Sequence, residues 1–325
     1  MSRWRPLSGP AVAQRRAAML QRLRQYFLNS KTLEVDTPAL SRYAVSDMQI
    51  ESLEVSSRLS RTPLYLQTSP EFCMKRLLAA DYPDIYSICR VFRDGETGKQ
   101  HQPEFTMVEW YRLGMGLDQI VADTITAIAA ALDRKKLGDG AVVLEYRNVF
   151  IDITGVDPVS ATIAELGDAA AADSDLRSVL GDKRDDWLDL ILATRIAPTF
   201  ARNELTVLRH YLASQSALAQ ICPADAAVAD RFEVFLGKLE LANGYVELTS
   251  AAEQEQRIAV DQDERRNRGL PLRPHDELLL AALQSGLPAC AGVAMGLERL
   301  QMIHDGTDDI RDVLSFAFED DNDRP

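Results

Sequence analysis

The sequence predicts an α+β fold, in which an antiparallel β-sheet is flanked by helices. Residues 87–112 and residues 231–249 each contain two strand-like runs joined by a connection that lets the chain reverse. Residues 11–29 instead repeat apolar side chains at helical spacing, with Leu20, Leu23 and Phe27 on one side and arginines elsewhere. Hairpins pair strands antiparallel and an amphipathic helix needs an apolar surface to cover, so these stretches favour helices packed on a sheet.

Composition allows a large hydrophobic core in one big domain or in two smaller ones. The chain has 325 residues, of which 46% are hydrophobic and 26% are charged. Its formal net charge is -13. Proteins that bind nucleic acids through phosphates normally present a basic face, so this charge makes RNA a less expected partner, although it does not exclude a local basic patch.

The cysteines and the N-terminus both indicate the cytoplasm. No apolar run approaches the roughly 18 residues that span a bilayer, and MSRWRPLSGP lacks the apolar core of a signal peptide. The cysteines form no C-x-x-C pair, which favours reduced, buried and inert thiols over a disulfide framework or a zinc site. They are Cys73, Cys89, Cys222 and Cys290.

Residues 87–112 are rich in side chains that could bind a nucleotide. The loop between the two runs, about a dozen residues long, contains Glu96, Lys99 and His101, and Gly95 and Gly98 allow close approach of a ligand. The alternative is that this charged loop is simply exposed to solvent and binds no ligand, as in many long hairpins. Strand alternation predicts two shared faces, formed by Cys89, Val91 and Arg93 on the first run and by Phe105, Met107, Glu109 and Tyr111 on the second.

Residues 231–249 could bind a metal. If Gly237-Lys238 forms a two-residue turn, Glu233 and Glu240 become diagonal neighbours on one face. Mg²⁺ prefers such carboxylate oxygens, although two exposed strand glutamates would look the same in sequence.

Three further short stretches complete the set of candidates. Ser69 and Pro70 begin a helix with Glu71 in its first turn, where an acid is favourable in any helix. Asn243-Gly244 is either a hairpin turn or part of a ligand site. Small residues precede a helix in the stretch that contains Ala291, Gly292, Ala294, Gly296 and Arg299.

These stretches resemble the conserved motifs of class II aminoacyl-tRNA synthetases, most closely those of the lysyl enzymes. The pattern R-x-G-E-x-G-K-x-H-x-P-E-F-T-x-x-E-W-Y, which ends at Tyr111, resembles motif 2, and G-x-A-x-G-x-E-R, which ends at Arg299, resembles motif 3. A helix, a strand and Pro38 in sequence resemble motif 1. T-S-P-E and E-x-x-N-G-[YF]-x-E resemble the lysyl amino-acid pocket.

The resemblance implies one class II synthetase-like catalytic domain over residues 1–325. Its expected parts are motif 1 at about 15–40, motif 2 at about 85–112, a helical insertion at about 138–204 and motif 3 at about 290–305. The acidic end, EDDNDRP, is expected to be a solvated tail.

It also implies a role for each matching residue. Arg93 and Arg299 are the expected catalytic groups, and Glu233 and Glu240 the expected Mg²⁺ ligands. The residues expected to bind ATP are Arg93, Asp94, Gly95, Glu96, His101, Gln102, Phe105, Glu240, Leu241, Gly296 and Arg299. The residues expected to bind the amino acid are Ser69, Pro70, Glu71, Glu109, Tyr111, Asn243, Tyr245, Glu247 and Ala294.

The implied reaction is activation of an amino acid by ATP. The amino-acid carboxylate attacks the α-phosphorus, pyrophosphate leaves and an aminoacyl-adenylate forms, so no protein nucleophile is expected. Glu71, Glu109 and Glu247 would make the pocket strongly anionic, which suits lysine or a diamino isomer. An uncharged amino acid would leave a buried carboxylate unpaired, at a cost of about 3–5 kcal/mol.

Several features resemble the elongation factor P–(R)-β-lysine ligase family more than tRNA-charging enzymes. About sixteen residues precede motif 1 and motif 3 lies near the last residue, so no anticodon-binding domain is expected. Ala294 stands where lysyl-tRNA synthetases have glycine, and its methyl would narrow the pocket. A-S-Q-x-A-L-A-Q at residues 213–220 also matches. The resemblance implies transfer of β-lysine to a lysine ε-amine of elongation factor P, by a homodimer formed through motif 1.

Two positions depart from the family pattern, and two other functions stay open. Gln102 replaces an asparagine, and Gly95 stands where a glutamate is common, so that role is carried over to Glu96. One alternative is a truncated lysyl-tRNA synthetase paralogue that activates α-lysine for tRNA or another carrier. The other is a non-catalytic regulatory paralogue, against which the intact arginines and glutamates argue.

Overall fold

A computed structural model describes residues 4–318, so the tail expected at EDDNDRP lies outside the described residues. Within that range the chain forms two compact units. Unit 1 comprises residues 4–114, 130–133 and 249–318, and unit 2 comprises residues 115–129 and 134–248. The expected single catalytic domain stays a prediction.

The helices of the described residues are short, apart from three of 16 to 20 residues. In chain order they are α1 Pro10–Asn29, α2 Glu71–Leu78, α3 Leu117–Leu132, α4 Lys135–Asp139, α5 Tyr146–Thr154, α6 Ile163–Ala169, α7 Ser174–Leu180, α8 Arg184–Ile191, α9 Ala251–Asn267, α10 Glu277–Gly286 and α11 Leu297–Asp305.

The strands of the described residues range from two to ten residues. In chain order they are β1 Leu33–Glu34, β2 Leu40–Ser41, β3 Glu54–Val55, β4 Leu64–Leu66, β5 Ile85–Phe92, β6 Glu104–Leu113, β7 Val142–Glu145, β8 Leu205–Arg209, β9 Arg231–Leu236, β10 Leu239–Val246 and β11 Cys290–Gly296.

Unit 1 contains a four-strand segment in the order β1-β5-β6-β11. The β1–β5 pair is parallel, whereas β5–β6 and β6–β11 are antiparallel. The β5–β6 register pairs Cys89 with Met107 and Val91 with Phe105. The alternation predicted within each run is confirmed for the residues inside β5 and β6, whereas Arg93 lies just beyond β5. Directly opposed residues share a face, so the register also puts Cys89 and Val91 on the face of Met107 and Phe105.

Helix α1 packs against this segment through an apolar stripe. Met19, Leu23 and Phe27 are fully buried, and the Phe27 ring stacks on Tyr86 with a centroid separation of 4.1 Å. The predicted Leu20 is only half-buried, because a spacing of four residues aligns Met19 with Leu23 and Phe27. The predicted helix is confirmed, with one core position shifted.

Two other sequence predictions need correction. The strands expected over residues 48–68 reduce to β3 and β4, which form a small three-strand sheet with β2 in the order β2-β4-β3. The helix expected over residues 117–137 ends at Leu132, since Asp133 has a positive φ of 56° and interrupts it before α4.

Unit 2 contains a second four-strand segment in the order β10-β9-β8-β7. The first two pairs are antiparallel and β7–β8 is parallel. Leu236 pairs with Leu239 and Phe235 with Glu240, so the two-residue turn at Gly237-Lys238 is confirmed. Gly237 has a φ of 56°, the left-handed conformation that such a turn requires.

Along the chain, helices α5 to α8 lie between β7 and β8. Their apolar side chains form one core with residues in and just after β8, and this core includes Tyr146, Phe150, Trp187, Ile191 and Tyr211. In both units antiparallel pairs predominate and helices pack beside them, so the predicted α+β class is confirmed. Within residues 4–318, no helix combines the length and apolar character needed to cross a bilayer.

Candidate active site

A buried carboxylate lies at the centre of the candidate amino-acid pocket in unit 1. Glu109, in β6, is 2% exposed. Its two oxygens accept hydrogen bonds from the Ser69 hydroxyl at 2.7 Å and from the Tyr111 hydroxyl at 2.8 Å. The Ser69 hydroxyl also accepts from the Glu71 N–H at 3.0 Å at the start of α2. Three predicted substrate residues therefore surround Glu109.

An ion pair between Lys75 and Glu71 lies beside Glu109. The Lys75 ammonium, almost fully buried, donates to a Glu71 oxygen at 2.7 Å, one turn along α2. Burial first, and the charge of Glu71 second, raise the pKa of Glu109 well above the usual range of a glutamate. An ammonium group placed beside Glu109 would counter both effects.

The neighbouring strand β11 presents its small residues to this pocket. Ala294 pairs directly with Glu109, Gly292 with Tyr111 and Gly296 with Met107. Opposed residues share a face, so the Ala294 methyl lies on the same face as the Glu109 carboxylate. Substitution at position 294 therefore changes the space beside the acid.

The candidate nucleotide-binding residues begin where β5 ends. The Arg93 guanidinium carbon lies 5.2 Å from the Phe105 ring centroid, and Arg93 Nη1 lies 3.5 Å from a Glu96 oxygen. The Arg93 N–H donates to the Pro103 carbonyl at 2.9 Å and closes the base of the loop. The Asp94 N–H donates to the Glu51 carbonyl at 2.9 Å.

Backbone conformation and a C-terminal contact shape the rest of this loop. Gly95 has a φ of 77°, which an L-residue rarely adopts. Gln102 is buried, and its side-chain oxygen accepts from the Phe318 N–H at 2.8 Å. The longer amide at position 102 therefore holds the segment that follows α11.

Arg299 reaches the same loop from α11. One Arg299 amino group lies 2.7 Å from His101 Nε2, so these two predicted ATP residues are in contact. The preceding Glu298 is 1% exposed and accepts from Arg16 at 2.8 Å and from the Thr106 N–H at 2.9 Å. This buried network fixes the start of α11 and thereby Arg299.

In unit 2, the candidate metal ligand Glu233 lies among strong hydrogen-bond donors. Arg231 donates to one Glu233 oxygen at 2.6 Å and the Tyr211 hydroxyl to the other at 2.7 Å. The Arg231 guanidinium lies over the Tyr211 ring, 4.6 Å from its centroid. Burial first, then the charge of Glu240, raise the pKa of Glu233 above its usual range. The second effect indicates that the two carboxylates are neighbours.

A β-bulge in β10 changes the predicted pattern. Glu240 pairs with Phe235 but Ala242 pairs with Val234, so Leu241 is an extra residue. Asn243 consequently pairs with Glu233 and shares its face, and Asn243 Oδ1 accepts from Arg231 Nε at 3.2 Å.

The structure excludes one of the two interpretations of Asn243-Gly244. Both residues lie within β10, so the hairpin-turn interpretation is wrong. Tyr245 pairs with Arg231 on the face of Glu233, and Glu247 is 1% exposed just beyond the strand. Leu241 is buried, and its contact with ATP stays a prediction.

The donor sets fit the groups that the sequence implies. Arg93 Nε is buried and has no hydrogen-bond partner among residues 4–318, as expected for a donor that completes its bonding with an anion. Glu233 and Glu240 provide adjacent carboxylates whose mutual repulsion a divalent cation would relieve.

Comparison with known proteins identifies the family. A family model described as tRNA synthetases class II (D, K and N) matches residues 8–320. The chain is 40% identical over 321 residues to the elongation factor P–(R)-β-lysine ligase of Sodalis glossinidius, covering 97% of this chain and 98% of the relative. The enzymes of that name from Photorhabdus laumondii and Pseudoalteromonas translucida are 39% and 38% identical, each covering 97% of the relative and 97% and 96% of this chain.

This chain belongs to the elongation factor P–(R)-β-lysine ligase family of class II synthetases.

Sequence reasoning missed several residues that hold the predicted site residues in position. Lys75, Arg231 and Tyr211 each contact a predicted site glutamate. Arg231 and Glu233 are two residues apart in a strand, so alternation alone could have paired them. Lys75 lies four residues after Glu71 in a helix, which is also a recognisable spacing. Tyr211 lies just after β8, far from Glu233 in sequence, and gives no such local signal.

We expect the binding of a cationic substrate to weaken as pH falls through the raised pKa of Glu109. Below that pKa the carboxyl is neutral, so the dissociation constant for lysine or β-lysine should rise by up to about tenfold per pH unit. Glu109→Gln should bind weakly and lose this pH dependence. Calorimetric titrations at several pH values would measure both effects.

The same raised pKa should make the folded protein less stable, rather than more effective, as pH rises. A raised folded-state pKa gives a stabilising contribution that is complete below the ordinary pKa of about 4.3 and is lost as pH rises through the raised value. Glu109→Gln should therefore unfold at a higher temperature than the unmodified protein above that pKa. Glu104→Gln, an exposed residue of the same strand, is the control and should alter neither property. An unchanged pH profile in Glu109→Gln would contradict this role.

Proposed function

We propose that this chain activates (R)-β-lysine with ATP and transfers the β-lysyl group to a lysine ε-amine of elongation factor P. Relatives at 38–40% identity over almost the whole chain are named for this ligase activity. The observation that carries the proposal is the buried pocket of Glu109, Glu71 and Ser69 beside Ala294. Two acids and a narrowing methyl suit a diamine in which one amino group is displaced from its position in α-lysine.

Activation requires positioning and charge stabilisation. A carboxylate oxygen of β-lysine attacks the α-phosphorus, the bond to pyrophosphate breaks and β-lysyl-adenylate forms. Glu109 and Glu71 orient the ammonium groups, and Arg93 binds the α-phosphate where negative charge grows. Arg299, held by the buried Glu298 network, binds the nucleotide from the side of His101. The acceptor amine then attacks the acyl carbon, AMP leaves and the new amide loses a proton to solvent.

Glu233 and Glu240 are the residues that would hold Mg²⁺. Bound there, the cation would neutralise phosphate charge and assist departure of pyrophosphate. Arg231 and Tyr211 keep Glu233 in one orientation through hydrogen bonds to both of its oxygens. The extra residue at Leu241 brings Asn243 onto the face of these carboxylates, where it would contact the amino acid.

The proposal includes a homodimer and action in the cytoplasm. Dimerisation is inferred from the resemblance of residues 15–40 to motif 1. The four cysteines, all in the described part of the chain, form no disulfide with one another. Burial raises the pKa of Cys89 to about 11, as expected for an unreactive thiol in a reducing compartment.

One experiment separates this function from its alternatives. The protein is incubated with ATP, Mg²⁺ and either (R)-β-lysine or α-lysine, and pyrophosphate exchange is measured. Elongation factor P and lysine tRNA are then supplied as acceptors, and mass spectrometry locates any added lysyl group. We expect faster exchange with β-lysine and modification of the protein acceptor. Faster exchange with α-lysine and charging of tRNA would support a lysyl-tRNA synthetase paralogue, and no exchange would support a regulatory protein.

Replacing Ala294 with glycine is expected to shift substrate preference towards α-lysine. Removal of the methyl beside Glu109 enlarges the pocket, and one methyl group typically changes discrimination by roughly 10–200-fold. The measurement is the ratio of kcat/KM for the two isomers in pyrophosphate exchange. Ala291→Gly adds the same backbone freedom on the opposite face of β11 and should leave the ratio unchanged. An equal ratio in both variants would remove Ala294 from substrate selection.

A further inference from the structure

Three side chains of different chemistry converge in unit 2 outside the candidate active site. His210 follows β8, Asp230 immediately precedes β9, and Cys222 lies in the connection between those strands. One ligand atom of each residue lies within 4.8 Å of the other two. Imidazole nitrogen, thiolate sulfur and carboxylate oxygen are the three donor types that zinc accepts in proteins.

The backbone holds all three positions in place. The His210 N–H donates to the Arg231 carbonyl at 2.9 Å, and the Cys222 N–H donates to the Val228 carbonyl at 2.9 Å. The Asp230 N–H donates to the Gln220 carbonyl at 3.0 Å. These hydrogen bonds order the segment between β8 and β9 without a bound ion, so the three side chains are already positioned for metal binding. His210 itself adopts a φ of 57°, which is uncommon for a residue with a side chain.

The imidazole of His210 is oriented as in metal sites. Its Nδ1 lies 2.7 Å from a Glu145 oxygen, and Glu145 is held in turn by Arg209 Nε at 2.7 Å. A carboxylate bonded to one ring nitrogen fixes the tautomer that leaves the other nitrogen as a metal ligand. That nitrogen, Nε2, faces Asp230.

The separation between these ligand atoms matches tetrahedral coordination. His210 Nε2 lies 3.6 Å from Asp230 Oδ1, too long for a strong hydrogen bond. Ligands bound to zinc at about 2.0–2.3 Å in a tetrahedron are roughly 3.3–3.7 Å apart. The other Asp230 oxygen accepts from Gln220 Nε2 at 2.8 Å, which leaves Oδ1 directed at the histidine.

We propose that His210 Nε2, Cys222 Sγ and Asp230 Oδ1 bind one zinc ion per chain, with a water molecule as the fourth ligand. Binding replaces the Cys222 thiol proton, which passes to solvent, and changes no oxidation state. The mixed sulfur, nitrogen and oxygen donors favour zinc over Mg²⁺. The ion would join the end of β8 to the start of β9 and so stabilise the strand that carries Glu233. The spacing of the cysteines gave no sign of this site because only one of its ligands is a cysteine.

Cobalt titration of the full-length protein tests the site directly. Co²⁺ bound by a thiolate gives a near-ultraviolet charge-transfer band, and zinc added afterwards should abolish that band at one equivalent per chain. We expect a zinc dissociation constant below about 1 μM, and weakening by roughly 10–100-fold in Glu145→Gln, which loses the orienting carboxylate. Mg²⁺ should not compete.

Two cysteine variants and one measurement on the unmodified protein decide the outcome. Cys222→Ser should lose the charge-transfer band, whereas Cys73→Ser, a cysteine outside the cluster, should keep it. An identical band in both variants would overturn the assignment of Cys222. If the unmodified protein binds no zinc at micromolar concentration, the cluster is an ion pair between His210 and its carboxylates, and the proposal is wrong. Zinc should also raise the unfolding temperature of the unmodified protein but not that of Cys222→Ser.

Discussion

Replacement of Arg93 by alanine is expected to reduce adenylate formation by on the order of 10³-fold or more. Arg93 has a buried Nε without a partner among the described residues, and its charge lies over the Phe105 ring at the end of β5. A single guanidinium that stabilises charge on a transferring phosphoryl group contributes about 10³–10⁵-fold to the rate. The fold should change little, since the ion pair between Arg93 and Glu96 is partly exposed. Pyrophosphate exchange with β-lysine and thermal unfolding measure these two effects.

Arg90→Ala is the matched control for this variant. Arg90 lies three residues earlier, in β5, pairs with Thr106 on the opposite face and is exposed. Its replacement should leave exchange within about twofold of the unmodified rate, because its pair with Glu104 is exposed and Glu298 keeps its shorter bonds from Arg16 and Thr106. Near-normal exchange in Arg93→Ala would remove Arg93 from the reaction.

Replacement of Glu240 by glutamine should abolish most of the Mg²⁺-dependent activity without loosening the fold. We expect exchange to fall by about 10²–10³-fold and the half-saturating Mg²⁺ concentration to rise, since one of the two carboxylate ligands is lost. The charge of Glu240 raises the pKa of Glu233, so its removal also relieves repulsion. The unfolding temperature without Mg²⁺ should therefore be equal to that of the unmodified protein or higher.

A Mg²⁺ titration of exchange at saturating ATP distinguishes lost metal binding from a general defect. High Mg²⁺ or Mn²⁺ should restore part of the activity of Glu240→Gln. Glu204→Gln, a carboxylate of the same unit just before β8, should keep the unmodified Mg²⁺ dependence. If Glu240→Gln required no more Mg²⁺ than the unmodified protein, the carboxylate pair would not be the metal site.

Local patterns predicted the elements whose geometry is set by neighbouring residues. Alternation gave the shared face of Phe105 and Met107 within β6, and the two-residue turn gave the pairing of Phe235 with Glu240, because side-chain period and loop length fix these placements. Helix α1 was predictable from its apolar stripe. Its exact core position was not, since Met19 and Leu20 are both apolar and packing decides between them.

Contacts between residues far apart in sequence could not be predicted. Tyr211 reaches Glu233, Thr106 reaches Glu298 and Phe318 reaches Gln102 only after the chain has folded. The resemblance to lysyl enzymes supplied the identities of the site residues, but not these supporting contacts. The bulge at Leu241 was equally hidden, because no glycine or proline marks it in the sequence.

The extra residue at Leu241 makes the number of residues in β10 as important as their identity. Strict alternation would put Glu240 and Asn243 on opposite sides of the strand, and the bulge brings both to the side of Glu233. Deletion of the codon for Leu241 would leave Glu240 and Asn243 two residues apart, so regular alternation would still put both on the side of Glu233. Insertion of one residue there would instead shift Asn243 and Tyr245 out of register with β9. Functional variants should therefore tolerate substitution or deletion at position 241 more readily than an insertion.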